Sequence, residues 1–443
     1  MQSSIKLINH ASVKFEFDHV KILTDPWYEG SVFHKGWKLI HKQTEEEIVN
    51  SIIDVSHIYI SHEHPDHFSP SFFLNSKIKN ILQQNNVKIL FQETKDRRVL
   101  NFLKKKGYEV IEILNNKFFN INENIKIKII KFGYIDSSLI IETKDTKILN
   151  LNDCPLNKID EIEKFKKKYG EFDVLLSQFS YAAWKGGKEN SNYRKIAAKE
   201  KINTLINQYK ILKCKYVIPF ASFIYFSNKL NNYMNDHIND PKKIYEEIKN
   251  EAKVIIMSPN EKQDLLNLKQ NLNSINFWHE KYQKINNFPL DEFTNTINFN
   301  VLDDEYQKYK KKIYNLNSKL MIFMASKIKF LKFFQPINIF LIDKKKNYEF
   351  SLINGLKIID EEKTDIKMHS ESLHFIFKND FGFDTLTVNG CFESTKDGFI
   401  KSTKSFALGS LNSMGLKLNL KLLINVKLIF FFFNLLKKVS KKL

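Results

Sequence analysis

The chain has 443 residues, 43% of them hydrophobic and 13% aromatic, with a formal net charge of +19. It is too long for one simple core and too apolar for a disordered chain, so two or three globular domains are expected. The charge does not read as a nucleic-acid footprint: Arg97, Arg98 and Arg194 are the only arginines, lysine is spread along the whole chain, and no helix-turn-helix, RNA-recognition or zinc-finger signature occurs.

Alternating apolar runs at residues 5–8, 13–17 and 20–23 predict paired strands, which Pro26 of Thr24-Asp25-Pro26-Trp27 ends. A loop over residues 30–37 and a helix around 45–53 lead to a strand at 58–60. Strands are then expected at 88–91, 108–113, 126–132, 138–142, 147–151, 174–176 and 215–219. Helices are expected between them at 96–106, 158–169 and 193–212. Strands with helices on their flanks predict an α/β fold, an αββα sandwich over residues 1–260. Residues 261–335 are Asn/Lys-rich and read as a helical linker. Residues 336–420 read as a small α+β domain, with strands at 337–342, 348–352, 356–359 and 366–368 and a Phe/Gly run from Phe381 to Gly390. Residues 421–443 read as an amphipathic C-terminal helix. Lys421, Asn425 and Lys427 break its apolar run, so it either packs on the protein or lies in a membrane interface as a peripheral contact.

The densest chemistry is His62-Glu63-His64-Pro65-Asp66-His67, three imidazoles and two carboxylates directly after an apolar strand. On a strand-to-loop turn these side chains converge on one point and can hold one or two divalent cations. Imidazole suits zinc or iron, and a carboxylate can ligate or take a proton from water. Cys154, Cys214 and Cys391 are odd in number and far apart, which implies no disulfide framework and fits a reducing cytoplasm. The N-terminal residues lack the apolar stretch of a signal peptide, so a cytoplasmic protein is expected. The positive charge suits an anionic small molecule, a lipid, or the inner face of a membrane.

The His-x-His-x-Asp-His motif beside an N-terminal strand pair resembles the metallo-β-lactamase fold superfamily. A finer likeness runs through Asn9-His10-Ala11-Ser12, Leu23-Thr24-Asp25-Pro26-Trp27, Gly36-Trp37-Lys38-Leu39, Ile148-Leu149-Asn150, Asp153-Cys154 and Pro219-Phe220-Ala221. Over residues 5–260 it resembles the lactamase-like domain of the CMP-N-acetylneuraminate monooxygenase family, the sialic-acid hydroxylases. The resemblance implies that His62 and His64 bind a first metal and Asp66 and His67 a second. Asp153 then bridges the two or serves the one present, and Asp66 orients the attacking water. Zinc is the expected ion, with iron or manganese as alternatives.

Two departures from that pattern stand out. No histidine occurs between His67 and His237, and Phe220-Ala221-Ser222 stands where the resemblance would place a closing His. Asp136 could supply a carboxylate instead. His10 reads either as a residue of the metal pocket or as a structural hydrogen-bonder. Asp25 reads as a group orienting a metal-binding His or as a turn cap. Trp27, Trp37, Tyr181 and Trp184 read as walls of a substrate mouth or as ordinary loop packing. None of the cysteines has a histidine at iron–sulfur spacing, so the chain holds no Rieske cluster. Three functions are therefore weighed. The first is a metal-dependent hydrolase of an anionic ester, amide or phosphodiester, such as a sugar nucleotide, glycan precursor or phospholipid. The second is a hydroxylase-like protein served by a separate Rieske partner, and the third is a non-catalytic ligand- or membrane-binding protein.

Overall fold

The structure, a computed structural model, describes residues 2–328, 333–360 and 363–419. The helix expected over 421–443 lies outside the described residues. Among the described residues no helix is long and apolar enough to cross a membrane.

The chain starts with an antiparallel meander, β1 (Ser3–Asn9), β2 (Ser12–Phe17) and β3 (Val20–Thr24). After β4 (Trp37–Leu39), the strands β5 (His57–Ile60), β6 (Lys88–Gln92) and β7 (Glu109–Ile113) add to β3 in parallel. A second sheet of six strands follows, built from β8 (Phe118–Asn120), β9 (Lys126–Phe132), β10 (Asp136–Glu142), β11 (Lys147–Asn152), β12 (Val174–Gln178) and β13 (Tyr216–Phe220). β14 (Ile224–Phe226) pairs with β4, and β15 (Lys262–Asp264) pairs with the free edge of β1, giving the first sheet seven strands.

Residue alternation decides how these layers stack. On β5, Ile58 and Ile60 point outward into a cluster with Ile52, Phe73, Leu82 and Leu103 of the covering helices. Tyr59 points inward, packs in the core between the sheets, and donates to the Ser137 carbonyl of the opposite sheet at 3.1 Å. Each fully buried Ile or Leu contributes about 1.5–3 kcal/mol, so this two-sided apolar pattern fixes the strand between two layers. The helix Glu45–Ile52 starts on a reciprocal capping box between Thr44 and Glu47. On the other face, the helices Ile159–Tyr169 and Ser191–Leu212 bury Ile162, Phe165, Ile202 and Leu205. The expected αββα sandwich is therefore present.

Its packing runs past residue 260. The β1 edge carries backbone donors and acceptors that need partners, and β15 supplies them. The helix Leu272–Gln283 then buries Trp278 face to face on Phe223, with ring centroids 4.0 Å apart. The stretch read as a linker is thus divided between two cores, because the helices Phe299–Leu316 and Lys319–Lys327 pack with the C-terminal unit.

That unit has five strands, β16 (Ile337–Leu341), β17 (Lys346–Ser351), β18 (Gly355–Ile359), β19 (Ile366–Met368) and β20 (Phe392–Ser394). Helices Ser370–Lys378, Gly382–Asn389 and Lys396–Ser413 cover the sheet. The Phe/Gly run forms the middle one. Gly382 is required there, since a Cβ would meet the Ile376 backbone at 2.6 Å, and Gly390 ends the helix with φ +68°. Phe350, Phe377, Phe383 and Phe406 fill this core, and residues of the first unit join the same cluster.

Candidate metal centre

Four strands of the sandwich end at one place, and each hands the chain to a residue in the left-handed region. These are His10 after β1 (φ 30°), Asp25 after β3 (φ 36°), Asn152 closing β11 (φ 42°) and Ala221 after β13 (φ 52°). None is glycine, so each is sterically costly, and such costs concentrate where a site is being shaped. The Ala221 amide donates to the His10 carbonyl at 2.9 Å, tying the end of the second sheet to the end of the first. After β5, the amides of His67 and Phe68 fold back onto the His64 carbonyl at 3.0 and 2.7 Å, which turns the motif side chains toward those ends.

The side chains form two adjacent donor groups. His62, His64 and Asp153 make one, and His10, Asp66 and His67 the other; within each, the ligand atoms lie within 4.8 Å of one another. Asp153 stands between them, its Oδ2 3.8 Å from His62 Nε2 and 3.7 Å from His67 Nε2. Asp66 Oδ2 lies 3.5 Å from His67 Nε2 and 3.4 Å from His10 Nε2. Asp136 Oδ1 is 3.9 Å from His62 Nε2, at the edge of the first group.

Among the described residues, several buried polar atoms here have no hydrogen-bond partner: Asp66 Oδ1, Asp153 Oδ1, His67 Nε2 and His10 Nδ1. Leaving such groups unpaired away from water costs free energy, about 1–3 kcal/mol each. A cation shared by the carboxylates and imidazoles removes that cost, so the donor set fits a divalent metal. The electrostatics agree. Burial holds His62 well below its usual pKa and keeps it a neutral donor. Burial also pushes His67 down, but Asp66, Asp153 and Asp25 outweigh it and raise the ring to about 10. Asp66 is likewise raised by burial, and the imidazoles of His67 and His10 outweigh that and hold it below the usual carboxylate range. This much mutual charge around an imidazole is what a bound cation would replace.

No protein-family model matches the chain. It is similar to the cytidine monophosphate-N-acetylneuraminic acid hydroxylase of Danio rerio, 26% identical over 250 residues, covering 53% of this chain and 40% of that protein. It is also similar to the inactive hydroxylase of Homo sapiens, 24% identical over 273 residues, covering 58% of this chain and 52% of that one. The chain thus spans about half or less of the length of these curated relatives. Among solved structures it is similar to YhfI of Bacillus subtilis, a metallo-β-lactamase fold protein, with TM-score 0.41 and 10% identity, covering 60% of this chain and all of that one. The two facing sheets with helices on their outer faces are the αββα layering that the sequence predicts, with the motif at the strand ends. The likeness to these hydroxylases matches the resemblance read from the motifs.

Around these donor groups, Asp25 accepts from the Ser61 amide at 2.7 Å and stands 3.0 Å from His67 Nδ1, which points Nε2 of that ring at the cluster. Burial raises its carboxyl above the usual range, and His67 and Ser61 oppose that rise. Cys154 is buried, with its thiol pushed up by burial, and stands in neither donor group. His237 pairs with Ser191 Oγ at 2.8 Å, away from the cluster. Trp27 packs edge-on against His10 at 5.4 Å and lines a surface pocket of about 530 Å³ with Phe33, Pro65 and Phe375. The other three aromatic residues are placed differently from a substrate mouth. Trp37, Tyr181 and Trp184 are buried in the core shared by the two units, where Trp184 packs on Phe392 and Phe399 at 4.7 Å. Large flat rings find more contact in that joint than at a wetted rim.

The sequence did not reveal the supporting residues. Ser61 Oγ lies 2.9 Å from His62 Nδ1 and 3.2 Å from His67 Nδ1, so one hydroxyl orients two rings. Ser137 Oγ and Gln92 Nε2 donate to the Ser61 carbonyl at 2.6 and 3.0 Å. Arg98 ties Glu63 of the motif at 2.9 Å to the Ser413 carbonyl of the C-terminal unit at 2.9 Å. Buried polar residues on apolar strands are the one signal that could have pointed to Ser137 and Gln92.

Proposed function

We propose that the chain is a metal-dependent hydrolase acting on an ester, amide or phosphodiester of an anionic molecule, such as a sugar nucleotide, a glycan precursor or a phospholipid. The observation that carries this reading is the pair of donor groups meeting at Asp153. Three residues on each side suit two ions, with zinc favoured by the imidazoles and iron or manganese accommodated by the carboxylates. A bound divalent ion supplies Lewis acidity and brings the deprotonation of water near neutral pH.

The chain's own side chains do the rest. The Asp153 carboxylate, within 4 Å of His62 and His67, would offset the repulsion between two cations held by the two groups. Asp66 turns Oδ2 toward His10 and His67 and leaves Oδ1 free to orient a water or take its proton. Asp25 and Ser61 fix the ring orientations of His67 and His62. His64, less buried than His62, stands where a substrate would approach. The lysine-rich surface favours an anionic substrate.

Similarity to the hydroxylases favours a second reading, a sugar-nucleotide-modifying protein working with a separate Rieske electron-transfer partner. The test is elemental analysis of the full chain purified without chelator, paired with turnover of chromogenic esters and diesters. Two zinc ions and chelator-sensitive hydrolysis are expected, and Asp66→Asn should lower turnover by about 10²-fold or more. Iron without any hydrolysis would reject the hydrolase and leave the hydroxylase-like reading.

A further inference from the structure

A second pocket, of about 570 Å³, opens where the β4–β14 ribbon, the segment 28–30 and the helix Leu272–Gln283 meet. It shares no residue with the metal cluster. Apart from Glu29, its charged lining is cationic, with Lys38, Lys42 and Lys281. Lys281 and Lys42 have no carboxylate within 4 Å among the described residues, while Lys38 is paired with Asp291. Gln43 is 5% exposed, with its Nε2 buried and unpartnered. Both His41 ring nitrogens are also without a hydrogen-bond partner. Two carboxylates stand nearby: Glu47 Oε1, 3.9 Å from His41 Nε2, accepts from Asn260 Nδ2 at 3.3 Å while its Oε2 accepts from the Thr44 amide at 2.7 Å, and Glu29 lies on the rim. Phe288 and Pro289 form an apolar wall beside these donors.

Unpartnered buried donors beside ammonium groups are costly in water's absence and are relieved together by one anion. We propose that this pocket binds an organic phosphate carrying a flat apolar group, the phosphate held by Lys281, Lys42, Gln43 and His41 and the flat group seated on Phe288 and Pro289. Burial keeps the His41 ring uncharged, so it serves as an N–H donor. Burial and the nearby Lys284 also disfavour the Lys281 charge, which a bound anion would restore. The floor is braced on the metal centre. Asn9 donates to the His41 carbonyl at 2.9 Å and to Gln43 Oε1 at 3.2 Å, and accepts from the His10 amide at 2.9 Å.

Phenylphosphonate, which no hydrolase cleaves at an ester, is the probe, titrated calorimetrically into the metal-loaded full chain. Saturable binding is expected, weakened about tenfold in Lys281→Gln and unchanged in His64→Ala, with metal content showing that Lys281→Gln is folded. Binding that disappears in His64→Ala but survives Lys281→Gln would assign the anion to the metal centre and overturn the proposal. So would an absence of saturable binding. Methylphosphonate should bind more weakly than phenylphosphonate, and equal affinity would overturn the seat on Phe288 and Pro289.

Discussion

In the sandwich, buried Asp66 and His67 and half-buried Asp153 each keep an oxygen or nitrogen open, whereas in the C-terminal unit Asp343 and Asp365 are closed by their surroundings. Asp343 accepts from the Ser370 amide at 2.9 Å and from its hydroxyl at 2.6 Å. Asp365 accepts from the Asn338 amide at 2.8 Å and from Lys401 at 2.7 Å. Both arrangements bury carboxylates, but one spends them on holding strands together and the other keeps them available. Asp384 sharpens the contrast: it belongs to the C-terminal unit, interacts electrostatically with His64, and has an unpartnered Oδ2. The C-terminal unit thus also brings a carboxylate with an open oxygen into the field of the centre.

The largest way to break that contrast is Asp153→Ala. Removing the carboxylate between the two donor groups should take metal content from about two ions per chain to about one or none, with turnover lost. Two ions retained by elemental analysis would show that Asp153 does not join the groups. Phe350→Ala tests the other side. Phe350 is fully buried and stacks on Phe406 at 4.5 Å, so unfolding in denaturant should show a loss of about 3–5 kcal/mol, while ions per folded chain stay the same. Asp25→Asn keeps the shape but weakens the hold on His67. Metal affinity by competition with a chelator should fall about 10–100-fold, and an unchanged affinity would make Asp25 a turn cap only.

The smallest effect is a pH dependence at the joint between the units. His34 is stacked between Phe293 at 4.8 Å and Phe375 at 4.2 Å, and burial pushes its pKa from the usual 6.5 to about 4. Below 6.5 the unfolded chain takes up a proton that the folded ring refuses. Stability from this contact should therefore be intact above pH 6.5 and decline as pH falls toward 4. Thermal melts across that window should drop less for His34→Phe than for the unaltered chain. Parallel curves would mean His34 does not titrate in the joint.

The positions of most strands and the His62–His67 motif were legible because both are local. Two-sided apolar runs predict buried strands, and six consecutive residues keep their ligands together whatever surrounds them. Asp153 and Asp25 entered through resemblance to a known pattern, and His10 had two readings open until the β1 end was seen beside Asp66. Ser137 and Gln92 gave only the weak signal of a polar residue on an apolar strand, which looks alike whether it orients a ligand or faces water, and Ser61, just past β5, gave none. Trp37, Tyr181 and Trp184 were ambiguous for the opposite reason: an aromatic ring suits a pocket wall and a domain joint equally, and the C-terminal unit selected the joint.

The sequence by itself determined the sandwich, the position of the imidazole cluster at a strand end, and the α+β character of the C-terminal segment. Only the tertiary structure decided that β15 and Trp278 extend the first core beyond residue 260, and that His10, 52 positions before His62, faces the same centre. The physical reason is range. Hydrophobic periodicity and motif spacing act between neighbours in the chain, whereas edge pairing and ligand convergence depend on where distant strands end.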